Sequence, residues 1–504
     1  MLSFFSRRTS VGFGLLLTSS IASATVIDGL PIRSADLLSV QAQLDQLPAQ
    51  PAGAPLQFAV GTAAGWGTDA GQWEIDGDTA IWRLQVYSAN AHSINLALDQ
   101  LQLPPSAALI FRSVDGSYRH QARTHADVID GQLWTPVVPG ESAVLEVRMA
   151  AKDRSEFRIR VAELNHGFLN FWEAGASAKN HDPRLGTSGS CNIDTACPAG
   201  TRWQDQIRSV ARITVNGRVV CSGQLVNNTG SAATHYFLTA DHCGIGPGGD
   251  SPASTVFYWN MENPSCGGNP DNTPTTDTSS GARFVSDGTR SDFTLLCLDS
   301  TQLSQYDLFL SGWNAGSAPP SDGASIHHPN GDAKKISLYT GEAEAVDNFP
   351  IELQSGRTQR VDAWEVSWSE GTTEGGSSGG GLWNFEGQLV GVLSGGAAAC
   401  NGSTNNGEPD YYGRFNVAWT EGSASQQLRT YLDPGNSGVT SSLGRNSVAN
   451  IPSCPSTSSS GGGGSSSGSG GGGGSSVGGV FTACGLLAAA LLRRRRRLDT
   501  VASR

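Results

Sequence analysis

Eight of the nine cysteines fall between residues 186 and 455, and none precedes Cys191. Thiols at that density fold differently in reducing and oxidising compartments, because only the second lets disulfides persist. The first residues decide between the two. Arg7 and Arg8 are followed by an apolar stretch over 11–17 and then by Ala22-Ser23-Ala24, small residues that suit a cleavage site. This is the pattern of a secretory signal over 1–24, with an apolar run too short to span a bilayer. Arg7-Arg8 also admits a twin-arginine signal, but the residues after it suit general export better. The cysteines of 186–455 are therefore expected to be oxidised.

The other end has three parts. Residues 456–476 are nearly pure Gly and Ser, a flexible linker. Residues 477–492 are apolar, and 493–497 are five arginines. Such a block is marginal for a span, but arginines at one end mark a topological stop with the charge in the cytoplasm. The expectation is a transient membrane anchor over 477–504. The tail resembles the Gly-Gly type C-terminal sorting tails of bacterial secreted proteins. That resemblance implies removal by an intramembrane rhomboid-type protease. The chain would meet the export machinery, cross the periplasm and end secreted or on the cell surface.

Between the ends, residues 25–185 read as a small β-sandwich. Strand-like runs cover 72–75, 80–87, 93–98, 107–112, 143–149 and 157–161, punctuated by Gly, Pro, Asp and Asn. One short helix is predicted over 34–47, with Ser34 as its cap. No triad, metal cluster or phosphate loop appears there, so this β-rich segment is expected to be a removable propeptide that assists folding and inhibits. Residues 186–455 alternate short strands (209–215, 236–239, 293–298, 388–393) with long turn-rich loops, and helical pattern is weak until 424–432. That predicts an all-β barrel or sandwich protein with a closing C-terminal helix. With 33 basic and 45 acidic residues, the net charge of −12 excludes bulk attraction to nucleic acid.

Nucleophilic acyl transfer needs a hydroxyl, a base, an acid that orients the base, and donors for the oxyanion. Three segments supply them: Phe237-Leu238-Thr239-Ala240-Asp241-His242-Cys243, Ser291-Asp292-Phe293-Thr294-Leu295-Leu296, and Thr373-Glu374-Gly375-Gly376-Ser377-Ser378-Gly379-Gly380. Each is weak alone. Together they carry the order His, Asp, Ser, with Cys221 upstream able to pin Cys243 beside His242.

On these residues the chain resembles the bacterial lysyl endopeptidases, a secreted branch of the chymotrypsin/trypsin serine protease family. Further matching stretches are residues 186–194, Leu225-Val226-Asn227-Asn228-Thr229, Ile326-His327-His328-Pro329 and Tyr412-Gly413-Arg414, which run in order over nearly all of 186–435. The resemblance implies a chymotrypsin-like double β-barrel, the second barrel beginning near Leu308, within a serine protease domain over 186–455. It assigns Ser378 as nucleophile, His242 as base and Asp292 as its orienting acid. The N–H groups of Gly376 and Ser378 would form the oxyanion hole. Asp410 matches the acid that holds a cationic P1 side chain, since a buried carboxylate selects a cation. Ser394, Gly395 and Gly396 would bind the substrate backbone as an extended edge. The family pattern also implies the disulfides Cys191–Cys400, Cys197–Cys266 and Cys221–Cys243, leaving Cys297 and Cys454 as a possible fourth pair, with Cys484 in the tail.

The implied activity is a monomeric, secreted endopeptidase cutting peptides after Lys or Arg, Lys preferred, without cofactor. Two departures leave Arg or broader trypsin-like specificity as the alternative. The family carries a His where this chain has Ser394, and a Trp stacked on it whose place falls near Ser355. An inert surface-binding protein is the alternative of another class, and the complete His-Asp-Ser set argues against it. His327-His328 lacks further ligands at metal-site spacing, and the resemblance treats it as framework. Ser377 stands where trypsin-type zymogens place an Asp that receives a freed N-terminus. Activation is therefore expected through propeptide removal, with cleavage after Lys179 or Arg184 and the mature start held by Cys191.

Overall fold

A computed structural model describes residues 27, 29–48, 55–169, 188–231, 233–268, 273–298, 301–353, 356–447 and 454. The expected signal, linker and tail, Cys484, the cleavage region at 179–185 and the position near Ser355 lie outside those residues.

The described residues of 32–169 build two five-stranded sheets packed face to face. In one, Thr79–Tyr87 pairs with Ser142–Ala150 along its whole length, and Ala108–Ser113, Gln72–Asp76 and Ile32–Ser34 complete the sheet. In the other, Arg158–Gly167 lies between Ala59–Gly67 and Ser93–Gln102. The inward residues Trp82, Leu84, Leu96, Leu98, Leu145, Val147, Val161 and Leu164 are buried between the layers, the alternation that a half-buried strand requires.

Two local expectations change. The helix is Leu37–Leu44, and Asp36 rather than Ser34 caps it by accepting from the Leu38 and Ser39 N–H groups. Ser34 is instead drawn into a strand opposite Tyr87. The strand Ala59–Gly67 carries little strand propensity in its small residues. Its long pairing partner imposes the conformation, and a Cβ on Gly61 would stand 2.3 Å from Glu163 Oε1.

The cysteine-bearing region is two curled antiparallel sheets in a chymotrypsin-like all-β arrangement. The first runs Thr278–Ser280, Val256–Tyr258, Val210–Val215, Val219–Val226, Tyr236–Thr239, Phe293–Cys297, Arg283–Gly288 in spatial order. The second is assembled from strands after Leu308, chiefly Ser321–His327, Lys335–Glu342, Gly381–Asn384, Leu389–Gly396 and Asp410–Arg414. Its one element from earlier in the chain is Ile193–Asp194, which pairs with Lys335–Glu342. The closing helix shrinks from 424–432 to Leu428–Leu432. Gln427 is extended, and its amide is committed to the Thr420 and Gly422 carbonyls, which blocks the earlier turn.

Both lysines of this region are buried. Lys334 Nζ donates to Ile207 O at 2.7 Å, and Lys335 Nζ bonds Asp194 Oδ1 at 2.5 Å with Asp332 at 3.6 Å. Four disulfides are present: Cys191–Cys400, Cys197–Cys266, Cys221–Cys243 and Cys297–Cys454. The last ties the end of the Phe293–Cys297 strand to a residue 157 positions later. A crosslink over so long a loop removes much of the unfolded chain's freedom. Cys454→Ser is expected to lower unfolding free energy by about 2–4 kcal/mol, read by denaturant titration under non-reducing conditions.

Candidate active site

The Tyr236–Thr239 strand ends in a single turn, Asp241–Cys243, closed by Gly244 in the left-handed region at φ 78°. The Cys221–Cys243 disulfide ties this turn to the Val219–Val226 strand. His242 is thereby presented at a strand end. Asp292 enters the neighbouring Phe293–Cys297 strand at φ 51° and is fully buried.

Its carboxylate grips His242 twice. Oδ1 accepts the His242 backbone N–H at 3.0 Å, and Oδ2 accepts Nδ1 at 2.7 Å. An ionised carboxylate only accepts, so Nδ1 carries the proton and Nε2 carries the lone pair. Nε2 is buried and meets no hydrogen-bond partner among the described residues. Burial by itself lowers the His242 pKa. The Asp292 charge, its hydrogen bond and the adjacent Asp241 carboxylate outweigh that and hold the ring above its ordinary value. Asp241, which the sequence does not single out, is pushed up to about 7 by burial and by repulsion from Asp292 and Asp287.

Ser378 lies in the loop after Thr373 and is fully buried. Its next residue must be glycine: Gly379 has φ 81°, and a Cβ there would stand 2.3 Å from Thr239 Oγ1 and 2.8 Å from Ala240 N. That close approach seats the loop against the strand end that bears His242. Ser222, on the Val219–Val226 strand, secures it. Its N–H donates to Ser378 O at 2.7 Å, and its Oγ donates to Gly376 O at 2.9 Å. Gly376 is also left-handed, at φ 91°, and among the described residues its N–H meets no acceptor.

Asp410 opens the Asp410–Arg414 strand and pairs with Gly396. It is 1% exposed, and its Oδ2 accepts from Trp368 Nε1 and Thr373 Oγ1, each at 2.7 Å. Burial raises its pKa to about 6 against those two hydrogen bonds and a third from the Ala398 backbone. No Arg or Lys among the described residues pairs with it. A Cβ on Gly396 would stand 2.2 Å from Asp410 Oδ1, so the close approach of the two residues requires glycine. Ser394 is buried, its Oγ without a partner among the described residues, and Gly395 sits opposite Tyr411 at φ 142°. Tyr411 stacks on Phe349 from the neighbouring hairpin, ring centroids 3.5 Å apart.

The structure thus brings His242, Asp292 and the Ser378 loop to one junction between the two sheets, with Asp410 at the end of the adjoining strand. Sequence reasoning missed Asp241, Trp368 and Thr373 as parts of this arrangement. It also missed Gln359, whose amide reaches Thr289 O at 2.8 Å and Asp292 Oδ1 at 3.4 Å. Among the described residues no group of three or more His, Cys, Asp or Glu could hold a metal ion.

Comparison with known proteins follows the same division of the chain. Residues 185–413 match the family model for the lysyl endopeptidase C-terminal domain, and residues 32–168 match that for the lysyl endopeptidase N-terminal domain. A curated relative, lysyl endopeptidase of Pseudomonas aeruginosa, is 28% identical over 399 residues, 73% of this chain and 81% of the relative. Solved structures that align include the Rv3671c protease of M. tuberculosis in its active form, at 16% identity and TM-score 0.30, over 50% of this chain and 99% of that one. A Glu endopeptidase in complex with MPD aligns at 16% identity and TM-score 0.29, over 46% and 94%.

Because the Asp241 charge favours the imidazolium, Asp241→Asn is expected to move the His242 titration to lower pH. Following the ring proton resonances of His242 by NMR across pH checks this, and an unmoved titration would refute the coupling.

Proposed function

Because the chain belongs to the lysyl endopeptidase family and is a trypsin-like serine endopeptidase, we propose that it cleaves peptide bonds after basic residues, lysine preferred, through His242, Asp292 and Ser378. Ser378 Oγ attacks the scissile carbonyl, and His242 Nε2 takes its proton. Asp292 holds the Nδ1–H tautomer and stabilises the imidazolium. The N–H groups of Gly376 and Ser378 receive the charge that grows on the carbonyl oxygen. His242 then protonates the leaving amine, and water repeats the sequence on the acyl-enzyme.

The observation that carries the specificity is Asp410. A carboxylate taken out of water with only neutral donors is costly until a cation joins it, and a Lys or Arg side chain of the substrate supplies that cation. Ser394 to Gly396 supply the edge along which the substrate backbone lies. Ser394 in place of the family's His supports a second reading, an Arg-accepting or broader trypsin-like preference.

Residues 25–185 act in this reading as a removable inhibitor of the domain over 186–455. The support is Leu56–Gln57, which adds a strand to Val219–Val220. Val220 Cγ1 in turn stands 3.4 Å from where a Cβ on Gly376 would be. Leu56, Phe58 and Val137 share an apolar cluster with Val220, Val256 and Tyr258, and Arg218 forms a bidentate pair with Glu163. The four disulfides support export to an oxidising compartment. Export by the signal at 1–24, a transient anchor over 477–504 after the 456–476 linker, and release by a rhomboid-type protease complete the proposal.

Lys-ester and Arg-ester hydrolysis tests the chemistry. Ser378→Ala is expected to lower turnover by about four to six orders of magnitude, and a parental rate would exclude the enzyme reading at this site. Asp410→Asn is expected to cost about 3–5 kcal/mol in kcat/KM for cationic substrates. With the parent enzyme, affinity for benzamidine should weaken as pH falls through about 6, where Asp410 takes up a proton. The full chain should hydrolyse these esters far more slowly than the processed enzyme. N-terminal sequencing should place the mature start within 180–186, and a distant start would refute the boundary.

A further inference from the structure

His327 has no part in the chemistry above, yet it is completely buried beside the nucleophile loop. Its Nδ1 lies 2.8 Å from Ser377 Oγ, and its Nε2 lies 3.2 Å from Ser337 Oγ. The direction of each bond can be deduced. Ser337 Oγ has one proton and gives it to Thr372 O at 2.7 Å, since a carbonyl only accepts. Ser337 must therefore accept from His327, which places the ring proton on Nε2. A neutral ring has no second proton, so Nδ1 accepts, and Ser377 Oγ donates to it. Ser377 Oγ in turn accepts the Glu374 N–H at 3.2 Å. Burial, reinforced by the Lys335 charge, lowers the His327 pKa to about 3 and keeps the ring neutral.

The result is one directional chain: Glu374 N–H to Ser377 to His327 to Ser337 to Thr372 O. Both its termini, Glu374 N–H and Thr372 O, lie in the stretch leading to Gly376 and Ser378, and Ser377 joins it between those two residues. The following residue grips the same loop from outside, because the His328 N–H donates at 2.9 Å to Ser222 Oγ, which holds Gly376 O. The Asn330 N–H adds a bond to Gly375 O at 2.6 Å.

We propose that His327 is a positioning residue: its neutral imidazole, bonded to Ser377 and Ser337, clamps the nucleophile loop so that the Gly376 and Ser378 N–H groups stay aimed at the oxyanion. Ser377 has no charge to receive an ion partner, and the buried imidazole takes that structural place. The proposal rests on the reading of Ser378 as nucleophile given above.

The test uses enzyme processed from the full chain, with His327→Phe, His327→Asn and Ser377→Ala. Phenylalanine keeps the ring and removes both bonds; asparagine keeps an acceptor near the Nδ1 position. His327→Phe and Ser377→Ala are expected to lower kcat about 10- to 100-fold, less than the two to three orders seen when an oxyanion donor is lost outright. A peptidyl lysine aldehyde, which forms a tetrahedral adduct, should weaken in parallel, while benzamidine, which reaches only the Asp410 pocket, should bind within about twofold of parent if the defect is confined to the loop. His327→Asn should recover most of the loss. Parental kcat in both His327→Phe and Ser377→Ala overturns the proposal, as does benzamidine weakening by the same factor as the aldehyde. If His327→Phe does not fold, Ser377→Ala decides alone by the same readouts. Ser378→Ala at the parental rate overturns the underlying site reading, a result distinct from any of these.

Discussion

The site hangs on one side chain that reacts with nothing. Ser222 sits on a strand of the first sheet, yet its N–H and Oγ hold the carbonyls of Ser378 and Gly376, which belong to the second. Its own hydroxyl is fixed by the His328 N–H. Two curled sheets could slide against each other with little loss of apolar contact, because burial is non-directional. Hydrogen bonds of this kind are directional, and they set the distance between the strand end that bears His242 and the loop that bears Ser378. Gly379 completes the constraint by leaving no side chain between them.

Around that junction the fold concentrates negative charge and treats each carboxylate differently. Asp292 spends both oxygens on His242. Glu374 collects the Gly189 N–H and the amides of Asn192 and Asn330, and so fastens the first described residues of the disulfide-braced region to the Ser378 loop. Asp410 receives neutral donors from Trp368, Thr373 and the Ala398 backbone, and no cation among the described residues. Low local polarity makes the satisfied groups rigid and the unsatisfied one demanding. The same burial therefore fixes the His242 ring at one end of the junction and leaves a carboxylate without a cation among the described residues at the other.

His242, Asp292 and the Ser378 loop were legible in the sequence because each sits next to its own local signal: a strand ending in a turn, an apolar strand, a glycine cluster. The partners of Asp410 were not. Trp368 and Thr373 lie 42 and 37 residues away along the chain, and neither looks polar enough to suggest a carboxylate. Asp241 adjoins the histidine, but only the fold reveals that it is half-buried beside a second acid. The two-layer N-terminal region was legible from its alternating strands, except Ala59–Gly67, whose small residues take their conformation from a partner strand. The ends of helices were least legible. Ser34 and Asp36 are equally good caps in isolation, and pairing with Tyr87 claims Ser34 for a strand.

The placement of lysines bears on what happens when molecules of this enzyme meet one another. Within the disulfide-braced region both lysines are sealed, Lys334 at 0% and Lys335 at 6% exposure, each committed to a buried acceptor. Lys152, in the two-layer N-terminal region, is exposed. For a lysine-directed protease, autolysis then has a built-in direction. Attack by a neighbour would then fall outside the disulfide-braced region, whose described residues offer no exposed lysine to cut while it remains folded.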